Sequence, residues 1–199
     1  MLLSRPNNNE VIMIKSKNIK IGDVKLTSNA PFFSNKAISG KFQRRFTGIQ
    51  YFELEFTANF MAQDIEEVKK FAIQTQFNKP FYFPLSYFSL YTGTVKDTLT
   101  SAQNANAGAR IVTAGQFSGT LEAGTIIQFS NHSKLYQVTE DVKAGGQIKL
   151  FPNLRTQVQA GEIIKYRNIE GAFLITDEKR EWTLQSLNKV KFNATESMP

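Results

Sequence analysis

Along most of the chain apolar and polar residues alternate with a period of two, the spacing of half-buried strands. Val11 and Met13 open the pattern, and Ile19-Lys20-Ile21 and Val24-Lys25-Leu26 continue it, with Gly22-Asp23 read as a turn between two strands. Ala30-Pro31 and Ser34-Asn35 predict a loop. GIQYFELEFTANF then predicts an aromatic strand, carrying Ile49, Tyr51, Leu54 and Phe56 between Gly48 and Asn59. The period changes once. In MAQDIEEVKKFAIQTQF, Met61, Ile65, Val68 and Ala72 recur at spacings of three and four, which predicts one amphipathic helix over about 61–77. Asp64 and Glu67 have capping-box spacing, acidic residues precede Lys69 and Lys70, and Asn78-Lys79-Pro80 ends the helix. A helix this short needs a sheet to lie on. FYFPLSYFSLY reads as a buried strand bent at Pro84.

After Tyr91 the composition turns small and polar, and SAQNANAG suits a loop. The runs GTIIQF, KLYQVTE, GGQIKLFP and GEIIKY predict short strands joined by glycine-containing turns, the mark of a small barrel or sandwich. Longer strands return in AFLITD, REWTLQS and KVKFNATE. Two stretches, Leu121–Asp141 and Val158–Glu178, align without a gap at an interval of 37 residues. They share Ala-Gly, Ile-Ile, Asn and Thr, with Phe129 against Tyr166 and Tyr136 against Phe173. Each copy is expected to be one hairpin; two copies are too few for a solenoid or propeller.

Composition narrows the function classes. The chain has 199 residues, 41% hydrophobic and 12% aromatic, enough for one large domain or two small ones. It has no cysteine, which excludes disulfides, thiolate metal sites and a cysteine nucleophile. No apolar run nears the roughly 20 residues that span a bilayer, and Arg5 with the Asn run breaks any signal-peptide core. A soluble protein of a reducing cytoplasm is expected. Between Lys15 and Arg45 eight cations (Lys15, Lys17, Lys20, Lys25, Lys36, Lys41, Arg44, Arg45) face Asp23 alone, so this segment holds the whole +7 charge. Such a stretch is a solvated strand face, or it contacts an acidic partner.

Candidate chemistry is sparse. His132, the one histidine, lies in an Asn-His-Ser turn and reads as surface decoration. No partner residues complete a zinc site or a serine triad around it, and no Walker, Gly-x-Ser-x-Gly or Gly-x-Gly-x-x-Gly motif occurs. Asp177-Glu178 and Glu66-Glu67 are adjacent carboxylates that would not converge as an acid/base pair. The reading is therefore non-enzymatic, with no catalytic, cofactor or metal residues. Trp182 and the aromatic group Phe77, Phe81, Tyr82, Phe83, Tyr87, Phe88 and Tyr91 read as core or interface.

The second half has an ordered cadence: Gly108-Ala109 and a strand, Leu121-x-Ala-Gly-x-Ile-Ile, Lys134-Leu-Tyr-x-Val-Thr, an acidic turn at Glu140-Asp141, Gly145-Gly146, Phe151-Pro-x-Leu-Arg, and Ala160-Gly161. This resembles the distal tail proteins of long-tailed, non-contractile bacteriophages, with Thr125 and Glu162 where that family often has Asp. The resemblance covers about Thr92 to Glu178. It implies a mainly β protein: a β-sandwich or barrel domain with one helix (1–91 and 170–199) and an inserted small OB-like barrel (92–169), with the first copy of the repeat inside the insert and the second straddling its exit. It also implies a homo-hexameric ring at the tail tip of the virion, joining the tail tube protein to the baseplate hub and passing DNA. Tape measure, tail fibre and collar proteins would be further neighbours, with no membrane and no sequence-specific nucleic acid bound. Lys41, Arg44 and Arg45 are the candidate interface residues. Two other functions fit the residues, an OB-type nucleic-acid-binding protein and a carbohydrate-binding module that recognises a host surface.

Overall fold

The computed structural model describes residues 18–85, 88, 91–179, 181–183 and 185–198. The expected strand at Val11 and Met13, Lys15 and Lys17, Tyr87, and part of FYFPLSYFSLY lie outside these residues.

Strand β1 (Lys20–Asn29) is followed by β2 (Phe32–Lys36) and β3 (Phe42–Phe46), then by the long β4 (Tyr51–Met61). A 3-10 turn, Ala62–Asp64, leads into α1 (Ile65–Thr75), the one α-helix among the described residues, and β5 (Phe81–Pro84) comes next. Six short strands follow: β6 (Leu99–Thr100), β7 (Ile111–Thr113), β8 (Ile126–Phe129), β9 (Tyr136–Val138), β10 (Gln147–Phe151) and β11 (Ile163–Lys165). The last two are β12 (Glu170–Ile175) and β13 (Leu187–Glu196). The protein is mainly β, as the alternation requires.

A five-stranded antiparallel sheet, ordered β1-β4-β13-β12-β5, carries the first core. Period-two alternation sends Phe52, Leu54, Phe56, Ala58 and Phe60 of β4 to one face, with Val190, Phe192 and Ala194 of β13 beside them. Helix α1 covers that face with Val68, Phe71 and Ala72. The helix expectation holds with two changes. Met61 ends β4 and is exposed, so Phe71 takes its place in the buried stripe. No side-chain capping box forms; Asp64 instead accepts a hydrogen bond from Asn18 at 3.4 Å. Asn78, at φ +53°, turns the chain out of the helix before Pro80.

The second core lies inside a sheet ordered β6-β11-β8-β9-β10-β7. Its outer strands meet through a Ser101–Ala114 bridge, with Gly115 N–H on Thr100 C=O and Ala102 N–H on Thr113 C=O, so the sheet closes into a six-stranded barrel.

Four local expectations are corrected. Gly22-Asp23 is not a turn between strands but a bulge within β1, where the register shifts and Asp23 adopts φ +49°. The expected loop around Ser34-Asn35 is instead a hairpin, β2 paired with β3 from Phe32↔Phe46 to Lys36↔Phe42. REWTLQS does not extend as a strand at its described residues; at its end Asn188 binds Gln185 N–H and C=O through its side chain and makes a turn. The repeat is half a repeat of structure. Gly124 and Gly161 both adopt left-handed φ (+85° and +79°), and Ile127 and Ile164 are both buried. Copy one forms the hairpin β8–β9. Copy two does not: β11 pairs with β6 and β8 in the barrel, whereas β12 pairs with β5 and β13 in the sheet. Asn168, at φ +50°, redirects the chain there, and Phe173 joins the sheet's core rather than the barrel's.

Candidate functional site

The three candidate interface residues lie on the β2–β3 hairpin. Lys41 flanks its tip, where Gly40 N–H bonds Ala37 C=O and Ala37 N–H bonds Lys41 C=O. Arg44 stands opposite Ser34 and Arg45 opposite Phe33. Consecutive strand residues face opposite sides, so Arg44 and Arg45 do not form one patch. Arg44 stacks over Phe32 at 4.4 Å and lies 6.0 Å from the Phe42 ring. All but one of the hairpin's residues are exposed, Phe33 at 70% and Phe42 at 58% among them; Phe46, at its base, is half-buried. Between Phe32 and Phe46 there are four cations (Lys36, Lys41, Arg44, Arg45) and no carboxylate. Lys25, part of the same basic segment in sequence, is elsewhere; it pairs with Glu55 on the outer face of the sheet.

A buried clamp ties the barrel to the sheet. The turn between β8 and β9 carries Lys134, which is fully buried and reaches across to Glu196 of β13 and to Gln50 Oε1 at 2.8 Å. The Glu196 carboxylate also accepts Leu135 N–H at 2.9 Å and Phe52 N–H at 3.1 Å. Desolvation, only partly offset by Glu196, holds the Lys134 ammonium below the usual lysine pKa. Around the clamp, Leu135 enters the sheet's core, Arg155 donates to Gly48 C=O at 2.8 Å, and Phe46 packs on Phe151 with ring centroids 5.1 Å apart. Periodicity alone gave no site here, yet a signal existed. Glu196 continues the inward series Val190, Phe192, Ala194, and a carboxylate in that register requires a partner.

His132 is not surface decoration. It is 7% exposed, with Nδ1 3.3 Å from Tyr136 Oη and Nε2 3.2 Å from Gln157 C=O. Its neighbour Glu162 holds the adjoining turns by accepting Asn131 N–H and Gln159 N–H. The cluster is structural; every group in it is spent on turn backbone or on its neighbour. Among the described residues no group of acidic or histidine side chains could hold a metal ion.

The aromatics divide. Phe81 and Phe83 are core, whereas Phe77 is 74% exposed and Phe88 is exposed too. In the barrel Phe117, Phe129, Tyr136 and Tyr166 are buried, which removes them as a base-stacking platform. Tyr91 lies against Tyr166 with ring centroids 4.8 Å apart and Arg167 over both rings. Its hydroxyl donates to Glu122 at 2.6 Å. Burial first, then Glu122, raises the Tyr91 pKa to about 12. A group whose folded pKa lies above its unfolded value of 10.0 contributes stability fully below pH 10, and this is lost as pH rises through about 12. A tyrosinate absorbance titration is therefore expected to show a step near pH 12 that Tyr91→Phe removes; an unchanged step would refute the assignment. Trp182, 39% exposed, forms one wall of a groove of about 470 Å³ whose other walls are Glu66, Lys69, Lys70, Ala72 and Ile73 of α1 and Gln76 just beyond it.

No helix among the described residues is long and apolar enough to cross a membrane. No curated protein matches the chain. Residues 90–169, two fifths of the chain and the whole of the barrel, match the family model described as Distal tail protein pb9, B domain, which supports a place among phage distal tail proteins and a structural role in a phage tail.

Proposed function

We propose that this protein is the distal tail protein of a long-tailed, non-contractile phage. Six copies form a ring at the end of the tail tube. The genome passes through the ring, the baseplate hub hangs below it, and tape measure, fibre or collar proteins adjoin it. Residues 1–91 with 170–199 form the ring, and the barrel, OB-like in size and curvature, is carried as an insert. The observation that carries this reading is the family match across the barrel. A basic hairpin standing clear of both cores supports it, because a ring needs a patch on each copy that fits a different patch on the next.

Negative-stain electron microscopy of the purified protein at high concentration tests the proposal. Six-fold rings with a pore wide enough for duplex DNA are expected, and Lys41→Glu with Arg44→Glu and Arg45→Glu should abolish them. A strict monomer that binds a labelled oligonucleotide in a salt-sensitive manner would overturn the ring in favour of nucleic-acid binding.

A further inference from the structure

The groove beside α1 runs the length of the helix. Glu66, Lys70, Ile73 and Gln76 recur along it at spacings of three and four, one outward stripe of the helix, and Trp182 makes the facing wall. The end near Glu66 is polar. The far end is apolar: Ile73 is 54% exposed, and Phe77, one turn further on, and Trp182 stand in solvent beside it.

The described chain begins at the polar end. Asn18 donates to Asp64 Oδ1 at 3.4 Å, directly before α1, and Ile19 enters the sheet's core. Asp64 Oδ2 is buried and has no hydrogen-bond partner among the described residues, a costly state for a carboxylate oxygen. The residues that precede Asn18 are therefore tethered at the mouth of the groove. They include Val11-Ile12-Met13-Ile14, four consecutive apolar residues that require cover. The lengths agree. In an extended chain rising about 3.3 Å per residue, Ile14 and Ile12 lie about 13 and 20 Å from Asn18. On a helix rising about 1.5 Å per residue, Ile73 and Phe77 lie about 13 and 20 Å from Asp64. Period-two alternation puts Ile12 and Ile14 on one side of the segment.

We propose that the segment Val11–Lys17 runs extended along α1, antiparallel to it, with Ile14 on Ile73, Ile12 on Phe77, Trp182 closing the far wall, and Lys17 donating to Asp64 Oδ2. The occupant is this chain's own segment, because its short tether at Asp64 holds it at an effective concentration in the millimolar range. A separate partner meets the groove only at its own concentration in solution. The contact stands independently of the ring.

Trp182 is the one tryptophan and the chain lacks cysteine, so two readouts are available in the full chain. Ile12→Asp with Ile14→Asp is expected to shift Trp182 emission to the red and to strengthen its quenching by acrylamide, with far-ultraviolet circular dichroism unchanged. Ile73 is exposed, so Ile73→Cys preserves folding. Ile14→Cys with Ile73→Cys, oxidised in dilute solution, is expected to form a disulfide within one chain, seen as a faster-migrating monomer on a non-reducing gel. Ile14→Cys with Lys143→Cys on the barrel should form none. If the charged variant fails to fold, the cysteine pair decides alone. Disulfides formed between chains would overturn the occupant in favour of a second copy's segment. An unshifted Trp182 emission with no Ile14–Ile73 disulfide would overturn the docking altogether.

Discussion

Glu196→Gln is expected to destabilise the protein by about 3–5 kcal/mol, the usual cost of breaking a buried ion pair. The carboxylate serves three donors at once, the Lys134 ammonium and the N–H groups of Phe52 and Leu135. An amide presents one acceptor oxygen and adds an NH2 that faces those donors. Lys134 would then have only neutral acceptors, Gln50 Oε1 and the single amide oxygen, and a fully buried cation without a counter-charge is unstable. Lys134→Met should cost less than Glu196→Gln, because Glu196 retains two backbone donors. The pair Lys134→Met with Glu196→Gln should be less destabilising than the sum of the two, since each single change leaves a lone buried charge and the double change leaves none. Urea midpoints for the four proteins check this, and strict additivity would mean the clamp carries no coupling. Because Lys134 belongs to the barrel and Glu196 to the sheet, a second signature is expected. One transition in the wild type should split into two as the cores melt separately.

The second large effect is expected at Phe56. It is buried at the middle of β4, with ring centroids 5.1 Å from Phe192, stacked, 5.2 Å from Phe83, 5.9 Å from Phe81 and 6.4 Å from Phe71. These rings come from β13, β5 and α1, so one side chain joins the helix to three strands of the sheet. Phe56→Ala should cost about 3–5 kcal/mol through lost transfer energy and the cavity left behind. Phe42→Ala on the hairpin, which leaves no cavity, should stay within about 0.5 kcal/mol for the isolated chain. Thermal unfolding of both variants makes the comparison. Similar losses at the two positions would contradict the division between packed core and exposed hairpin.

The strands that were legible in the sequence are those with one wet face. In β4 every second residue is apolar, as are Val190, Phe192 and Ala194 in β13, and α1 shows its stripe because one side packs on a sheet. The β2–β3 hairpin was not legible, since a ribbon exposed on both faces has no alternation to display. Gly22-Asp23 misled because a bulge and a tight turn ask for the same left-handed backbone. His132 misled because a polar residue in a turn is usually wet, and nothing local revealed that Tyr136 and Gln157 close over it. The second copy of the repeat has the same local chemistry as the first. Long-range pairing decides that β12 leaves the barrel; the local pattern contains no such information, and only the family resemblance placed the second copy across the exit. The candidate interface was half legible: its charge lay in the sequence, its projecting shape did not.

The chain leaves the sheet at Pro84 and Leu85 and returns at Ile169 and Glu170, and these residues are already neighbours. Glu170 pairs with Pro84, and Leu85 N–H bonds Ile169 C=O at 2.9 Å. The 83 residues between them depart and re-enter through a single doorway one strand-spacing wide. Whatever is strung across that doorway leaves the alignment of β5 with β12 untouched, so the intervening stretch can be exchanged or lengthened without re-threading the rest, provided the contacts of Lys134 and Leu135 with Glu196 are kept. Variety can therefore accumulate at that one point while the five-stranded sheet stays constant.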